Sequence, residues 1–227
     1  MCQETVRKNA NKDLFDVVCV TPETLYTYLP DLRRDLHKII HSNVISDNIA
    51  IKADYIRMNL LNKYGGVWVD SDIILIQDLS NIYELLRIYQ CVGINSKVTP
   101  YAASFGFIGF RQGSVILSQY IKTADARINR SNQFPWTGLS TDIMKPIVKN
   151  HMSKCFFFDM HDIGVVGSKN WRIFFTDTDP NTFITSKTII VYLFNKLFPQ
   201  SFKAMSRTEV LSKSWLVSRI LKKVLGE

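Results

Sequence analysis

The chain has 227 residues, a net charge of +8, 46% hydrophobic residues and 21% charged ones. That length and balance suit one large domain, or two small ones, with a real core, and they exclude intrinsic disorder and collagen-like repeats. No apolar run of about eighteen residues is present, so no membrane-crossing helix is expected. The opening residues, Met1 to Glu4, are polar, so no signal peptide is expected either. Cys2, Cys19, Cys91 and Cys155 lie far apart, which argues against a metal knuckle or a disulfide framework. Reduced thiols in a cytoplasmic protein are the simplest expectation. Residues 187–227 carry eight Lys/Arg and two Glu, so the body is nearly neutral and the tail basic. No basic stripe or nucleic-acid motif is visible, so a nucleic-acid partner is not expected. The basic tail raises the possibility of contact with an anionic membrane surface.

In chain order, Thr5 to Leu14 reads as a helix and Phe15 to Val20 as a short strand. Thr21-Pro22-Glu23 starts a helix that ends near Leu29-Pro30. Ser46 to Tyr64 is the clearest helix. Ser46 and Asp47 are capping residues, Ile49, Ile56, Leu60 and Leu61 give an apolar stripe, and Gly65-Gly66 is the stop. Val67-Trp68-Val69 follows as a strand into Asp70-Ser71-Asp72, and Ile73 to Ile76 is a second apolar run. Ile82 to Tyr89 reads as a helix, Cys91 to Ile94 as a strand, and Phe105 to Phe110 as a strand or tight turn. Ser114 to Ile128 is helical, Phe134 to Gly138 a loop, Asp142 to Asn150 a short helix and Cys155 to Phe158 a buried strand. Ser168 to Ser186 reads as a polar loop, Thr188 to Phe194 as an apolar run, and residues 207–226 as one basic amphipathic helix. Alternating short strands and helices favour an α/β fold.

The stretch that carries chemistry runs from Ala53 to Asp72. Asp54 and Arg57 are three apart on a helix and share a face. If the segment after Val69 stays extended, Asp70 and Asp72 point to one side. Two adjacent carboxylates repel unless a cation relieves them. Hard Mg²⁺ or Mn²⁺ prefers oxygen ligands and keeps positions open for phosphate oxygens. The chemistry suggested is a metal-held nucleotide diphosphate leaving group, with Asp54 and Arg57 hydrogen-bonding sugar or ribose hydroxyls. The plainer alternatives are a turn capped by two Asp side chains, and an Arg57–Asp54 pair on a wet face. His37, His41 and His151 show no metal spacing. His161-Asp162 reads as a loop that could border the cleft, Asp177 to Pro180 as a turn, and Asp142 as a helix-start acid.

The run from Ala53 to Leu79 resembles the sugar-binding region of DXD-containing glycosyltransferases. These include capsular polysaccharide synthesis proteins, mannosyltransferases of glycosyltransferase family 32 and, more distantly, clostridial glucosylating toxins. The likeness is weaker elsewhere, where Trp136-Thr137-Gly138 and Tyr192 to Lys196 resemble later family segments. The resemblance implies a GT-A-type, Rossmann-like domain over residues 1–206, followed by the helix over 207–227. It implies a nucleotide-sugar donor, with UDP-sugars favoured, a glycan or lipid-linked acceptor, Mn²⁺ or Mg²⁺, and retention of anomeric configuration. Carried over by position, Asp54, Tyr55, Arg57, Trp68, Asp70 and Asn195 would form the donor site. Asp72, with Asp70, would hold the metal, and Asp70, Asp72 and Arg57 would be the catalytic set. Two departures stand out. The family opens with a Pro-x-x-Ile-x-x-x-Trp strand, which would lie before Met1. Tyr192 stands where the family often has a His. An inactive sugar-binding remnant and a phosphotransferase of haloacid dehalogenase type are the rival readings. A location on the inner face of the plasma membrane goes with a lipid-linked acceptor.

Overall fold

The computed structural model describes residues 1–42, 48–95, 104–160 and 168–227. The proposed caps Ser46 and Asp47, and His161-Asp162, lie outside the described residues. In chain order the elements are α1 (Cys2–Asn9), α2 (Leu25–Tyr28), β1 (Ile40–His41), α3 (Asn48–Tyr64), β2 (Gly66–Val69), β3 (Ile73–Leu75), α4 (Ser80–Ile88), β4 (Cys91–Asn95), β5 (Phe107–Phe110), α5 (Val115–Arg130), β6 (Gln133–Phe134), α6 (Thr141–Asn150), β7 (Cys155–Asp159), β8 (Ile190–Tyr192), α7 (Gln200–Lys203), α8 (Arg207–Ser212) and α9 (Leu216–Leu225). The fold is mixed α/β.

The chain groups into two compact units. One comprises Met1–Val17, Asp70–Asn81 and Asp159–Glu227; the other comprises Val18–Val69 and Ile82–Phe158. In the second unit a sheet is ordered β2-β5-β4-β7. β5 runs antiparallel to both β2 and β4, with Trp68 opposite Ile108 and Cys91 opposite Phe110. β1 and β6 form a short parallel pair. A Rossmann-like sheet is built from parallel neighbours, whereas the pairing described here is mostly antiparallel. The buried face of α3 (Ile51, Tyr55, Met58) packs with Ile108, Phe110, Leu117, Tyr120 and Ala124 in one core.

In the first unit β3 pairs antiparallel with β8, setting Ile73 opposite Tyr192 and Leu75 opposite Ile190. Ile74 and Val191 join Phe174, Phe198, Leu216, Val217 and Ile220 in a second core. Thr5 of α1 donates its N-terminal turn to this unit: its hydroxyl oxygen accepts the Leu75 N–H at 3.0 Å.

Several expectations change. The first helix runs Cys2–Asn9 rather than Thr5 to Leu14, the helix expected from Thr21 shrinks to the single turn Leu25–Tyr28, and Ile49, placed in the apolar stripe of α3, is exposed. Phe15 to Val20 forms no strand, and Val17 and Val18 are exposed. The strand propensity of such a run is realised only where a neighbour supplies a ladder. Ser168–Phe175 is not a polar loop but a run of 3₁₀ turns, whose Trp171 and Phe175 stack edge-on at 5.8 Å. The tail is two helices rather than one, because Lys213 and Trp215 take extended conformations between them. Its apolar side (Leu211, Leu216, Val217, Ile220, Leu221) is buried in the core of the first unit. Packing, the alternative to a membrane-lying helix, is therefore what this face does. Among the described residues no helix is long and apolar enough to cross a membrane.

Candidate active site

α3 ends as the sequence predicts, at two glycines in the left-handed region: Gly65 at φ +70° and Gly66 at φ +90°. The Gly65 N–H closes the last turn on the Leu61 carbonyl at 2.8 Å. A Cβ on Gly65 would stand 2.7 Å from the Gln112 nitrogen and 3.1 Å from the Phe110 oxygen. Only a residue without a side chain lets the chain turn this close to β5 and enter β2.

Arg57 projects from α3 and is 7% exposed. Its Nη1 donates to the Phe105 carbonyl at 2.5 Å and its Nε to the Ala53 carbonyl at 3.3 Å. Its Nη2 lies 3.5 Å from Asp54 Oδ1. The guanidinium carbon is 5.1 Å from the centre of the Trp68 ring, a cation–π distance. Asp54, Arg57 and Trp68 are thus brought together, and the Arg57–Asp54 pair is drawn inward rather than left on a wet face. Tyr55, next to Asp54 in sequence, is buried and donates its hydroxyl to Asp125 Oδ1 at 2.6 Å.

Asp70 and Asp72 belong to the first unit. They do not sit on an extended segment. The Ile73 N–H bonds back to the Asp70 carbonyl at 3.1 Å, closing a four-residue turn. The strand that follows fixes this turn against the end of β8. The Asp72 carbonyl accepts the Leu193 N–H at 3.1 Å. Asp72 Oδ2 accepts the Asn195 N–H at 3.0 Å, and Asp70 Oδ2 accepts the Tyr192 hydroxyl at 3.0 Å. Tyr192, standing where the resembled family often has a His, bonds a carboxylate instead. Its ring stacks on Phe194 at 5.0 Å with 21° between the planes. Phe194 is itself left-handed, at φ +54°, a conformation that costs a non-glycine residue about 1–2 kcal/mol. The expected donor residue Asn195 is exposed and reaches Asp72 through its backbone.

Cys2 was not singled out by its sequence context, yet it lies close enough to feel Asp72. Burial pushes its thiol up to about 11, and the Asp72 charge adds to the rise. Nothing in the spacing of residues 2 and 72 signals that approach. The Asp177–Pro180 stretch is the turn it was expected to be, with Asp179 Oδ1 accepting the Asn181 N–H at 2.9 Å. His41 lies 6.4 Å from Trp136, ring centre to ring centre, and His151 bonds Gln119.

Among the described residues no cluster of three or more His, Cys, Asp or Glu side chains forms a protein-only metal cage. The Asp70–Asp72 turn offers two hard carboxylate donors on one four-residue loop. That donor set fits a divalent cation that takes its remaining ligands from a diphosphate and water.

No curated protein matches the chain. Among solved structures, a chain titled PaToxG glycosyltransferase is similar with a TM-score of 0.38 and 14% identity, over 47% of this chain and 37% of that one. This chain therefore spans well under half of that structure's length, and the likeness is too slight to bear on fold or activity. Residues 1–123 match the family model described as capsular polysaccharide synthesis protein. That match takes in α3, the glycine turn and the acidic pair, and with more than half its length matched the chain belongs to the capsular polysaccharide synthesis protein family.

Proposed function

We propose that the chain is a glycosyltransferase of GT-A type that moves a sugar from a nucleotide-sugar donor to a glycan or lipid-linked acceptor in capsular or surface polysaccharide assembly. The observation that carries this reading is the Asp70–Asp72 turn, two carboxylates set on a hairpin-like bend and held by Tyr192 and the Asn195 N–H. A bound Mn²⁺ or Mg²⁺ would supply charge neutralisation for the departing diphosphate. Asp72 is its principal ligand in this proposal and Asp70 a second. Tyr192 keeps Asp70 oriented, so little reorganisation is needed when a donor arrives.

In the transfer, the bond between the anomeric carbon and the diphosphate oxygen breaks. A bond to an acceptor hydroxyl oxygen forms, and the diphosphate leaves with the electron pair. The acceptor proton goes to the departing diphosphate, in keeping with retention and with no dedicated general base. Asp54 and Arg57 are assigned to donor hydroxyls by the family resemblance. A UDP-sugar is the favoured donor on the same ground. A lipid-linked acceptor would need a membrane surface, and with the apolar face of the tail buried, only basic side chains such as the exposed Lys223, which also donates to Asn181, remain to meet one.

The test is calorimetric titration of UDP with and without Mn²⁺. Wild-type protein is expected to bind UDP with a clear Mn²⁺ dependence. Asp72→Asn is expected to lose that dependence and at least about tenfold in affinity, the size of a lost charge-assisted contact. Metal-dependent binding unchanged in Asp72→Asn would overturn the assignment. A hydrolysis screen across nucleotide sugars then identifies the donor.

A further inference from the structure

The second unit holds a cavity of about 530 Å³ that none of the donor assignments except Tyr55 touches. It lies between α3, α5 and the 29–33 segment. On α3, Tyr55, Asn59 and Asn62 follow one another at i, i+4 and i+7, so they share a face. Asp54, Arg57 and Trp68 are not among its lining residues, so of the residues assigned to the donor the cavity shares Tyr55 alone.

Its lining has a definite chemical character. The charged side chains are two acids, Asp31 and Asp125, and two cations, Arg33 and Lys63. They balance, which disfavours a phosphate or a polyanionic ligand. Three carboxamides, Asn59, Asn62 and Asn129, also line it. Each offers one acceptor and two donors, the combination that matches a hydroxyl, which must both donate and accept.

Several of these groups are already held in place. Tyr55 donates to Asp125 at 2.6 Å. The Asn59 amide nitrogen donates to the Tyr55 carbonyl at 2.9 Å, which aims its oxygen elsewhere. Arg33 is clamped by Asp35 through Nε at 2.7 Å and Nη2 at 3.1 Å, and its Nη1 reaches the Asn129 oxygen at 3.4 Å. The side chains of Asn62, half-buried, and Asp31, exposed, make no hydrogen bond among the described residues and are open to water or a ligand. Leu29, Pro30 and Leu32 give the cavity an apolar wall. A pyranose has the matching anatomy: hydroxyls around its edge and a C–H face. The volume lies within the range of small-molecule sites, about 300–1,000 Å³, and is ample for two or three sugar rings.

We propose that this cavity is a binding site for a neutral oligosaccharide. It does not depend on sugar transfer. The site would hold a glycan chain whether or not the acidic turn acts on a donor.

The experiment is saturation-transfer NMR of the full chain with four neutral trisaccharides (maltotriose, cellotriose, chitotriose and mannotriose) and one acidic one, trigalacturonate. Transfer to at least one neutral trisaccharide is expected, and none to trigalacturonate. Asn62→Leu should weaken the bound trisaccharide about tenfold, the cost of leaving a sugar hydroxyl unpaired. Asn129→Leu, on the exposed end of α5, provides a second variant should the first perturb folding. Asp72→Asn should leave saccharide binding unchanged even where it removes UDP binding, so the two assignments fail separately. Absence of transfer to every neutral trisaccharide, equal transfer to trigalacturonate, or unchanged affinity in both folded Asn variants would each overturn the proposal.

Discussion

The two glycines that end α3 make a paired experiment, because both have a positive φ and they differ in surroundings. Gly66→Ala places an L-residue at φ +90° with nothing within 4 Å of the new methyl group. Its cost is the backbone alone, about 1–2 kcal/mol. Gly65→Ala carries a similar backbone cost at φ +70° and also drives the methyl to 2.7 Å from the Gln112 nitrogen. That neighbour is main chain at the end of β5, so it cannot swing aside. Overpacking of this kind adds about 1–3 kcal/mol. Urea unfolding followed by tryptophan fluorescence should therefore rank wild type above Gly66→Ala and Gly66→Ala above Gly65→Ala. For a gap of about 2 kcal/mol between the variants, their melting temperatures should differ by roughly 4–8 °C. Equal destabilisation by the two substitutions would show that the close approach of the turn to β5 is not what requires Gly65.

Ser218 is 0% exposed in α9, and its hydroxyl oxygen finds no partner among the described residues. Ser218→Ala should raise stability by about 1 kcal/mol, since it removes an unpaired buried polar group and favours the helix; a drop in melting temperature would expose a missed hydrogen bond. Leu216, also 0% exposed, anchors the same helix, and Leu216→Ala should cost about 2–5 kcal/mol in urea unfolding. A loss below about 0.5 kcal/mol would mean that the tail is not part of the core. Cys19 is exposed, whereas the Cys2 thiol is pushed up to about 11 by burial. At pH 8 only about one Cys2 in a thousand is thiolate. An aromatic disulfide reagent should therefore label one fast thiol, Cys19, with Cys2 following only as the pH climbs toward 11. A fast phase surviving in Cys19→Ser would contradict this.

The end of α3 and its glycine stop were legible because left-handed glycines act locally, but the apolar stripe was only partly so: Leu60 and Leu61 are buried as expected, whereas Ile49 is exposed and Ile51, Tyr55 and Met58 face the core. Local signals also marked β4, α5 and α6, each bounded by its own turn residues. What sequence could not reveal was long-range. Phe15 to Val20 has a strand's composition but forms no strand. Trp171 and Phe175 sit among Ser168, Lys169 and Asn170, so the segment reads as polar although its aromatic rings are packed. The acidic pair was recognised, but its turn geometry depends on Leu193 and Asn195, more than a hundred residues away. Tyr55 carries a motif position yet its hydroxyl is taken by Asp125, a partner that only the packing supplies.

The bonds that hold the acidic turn set a timetable for the newborn chain. Asp70 meets Tyr192 across 122 positions, and Asp72 meets Asn195 across 123. At about 5–20 residues per second, a ribosome needs roughly 6–25 s to reach those partners after the acids emerge. Through that interval the two carboxylates wait without their clasp, while the helix and glycine turn that precede them can already form. The carboxylate pair is thus among the last pieces of the molecule to be set in place during its synthesis.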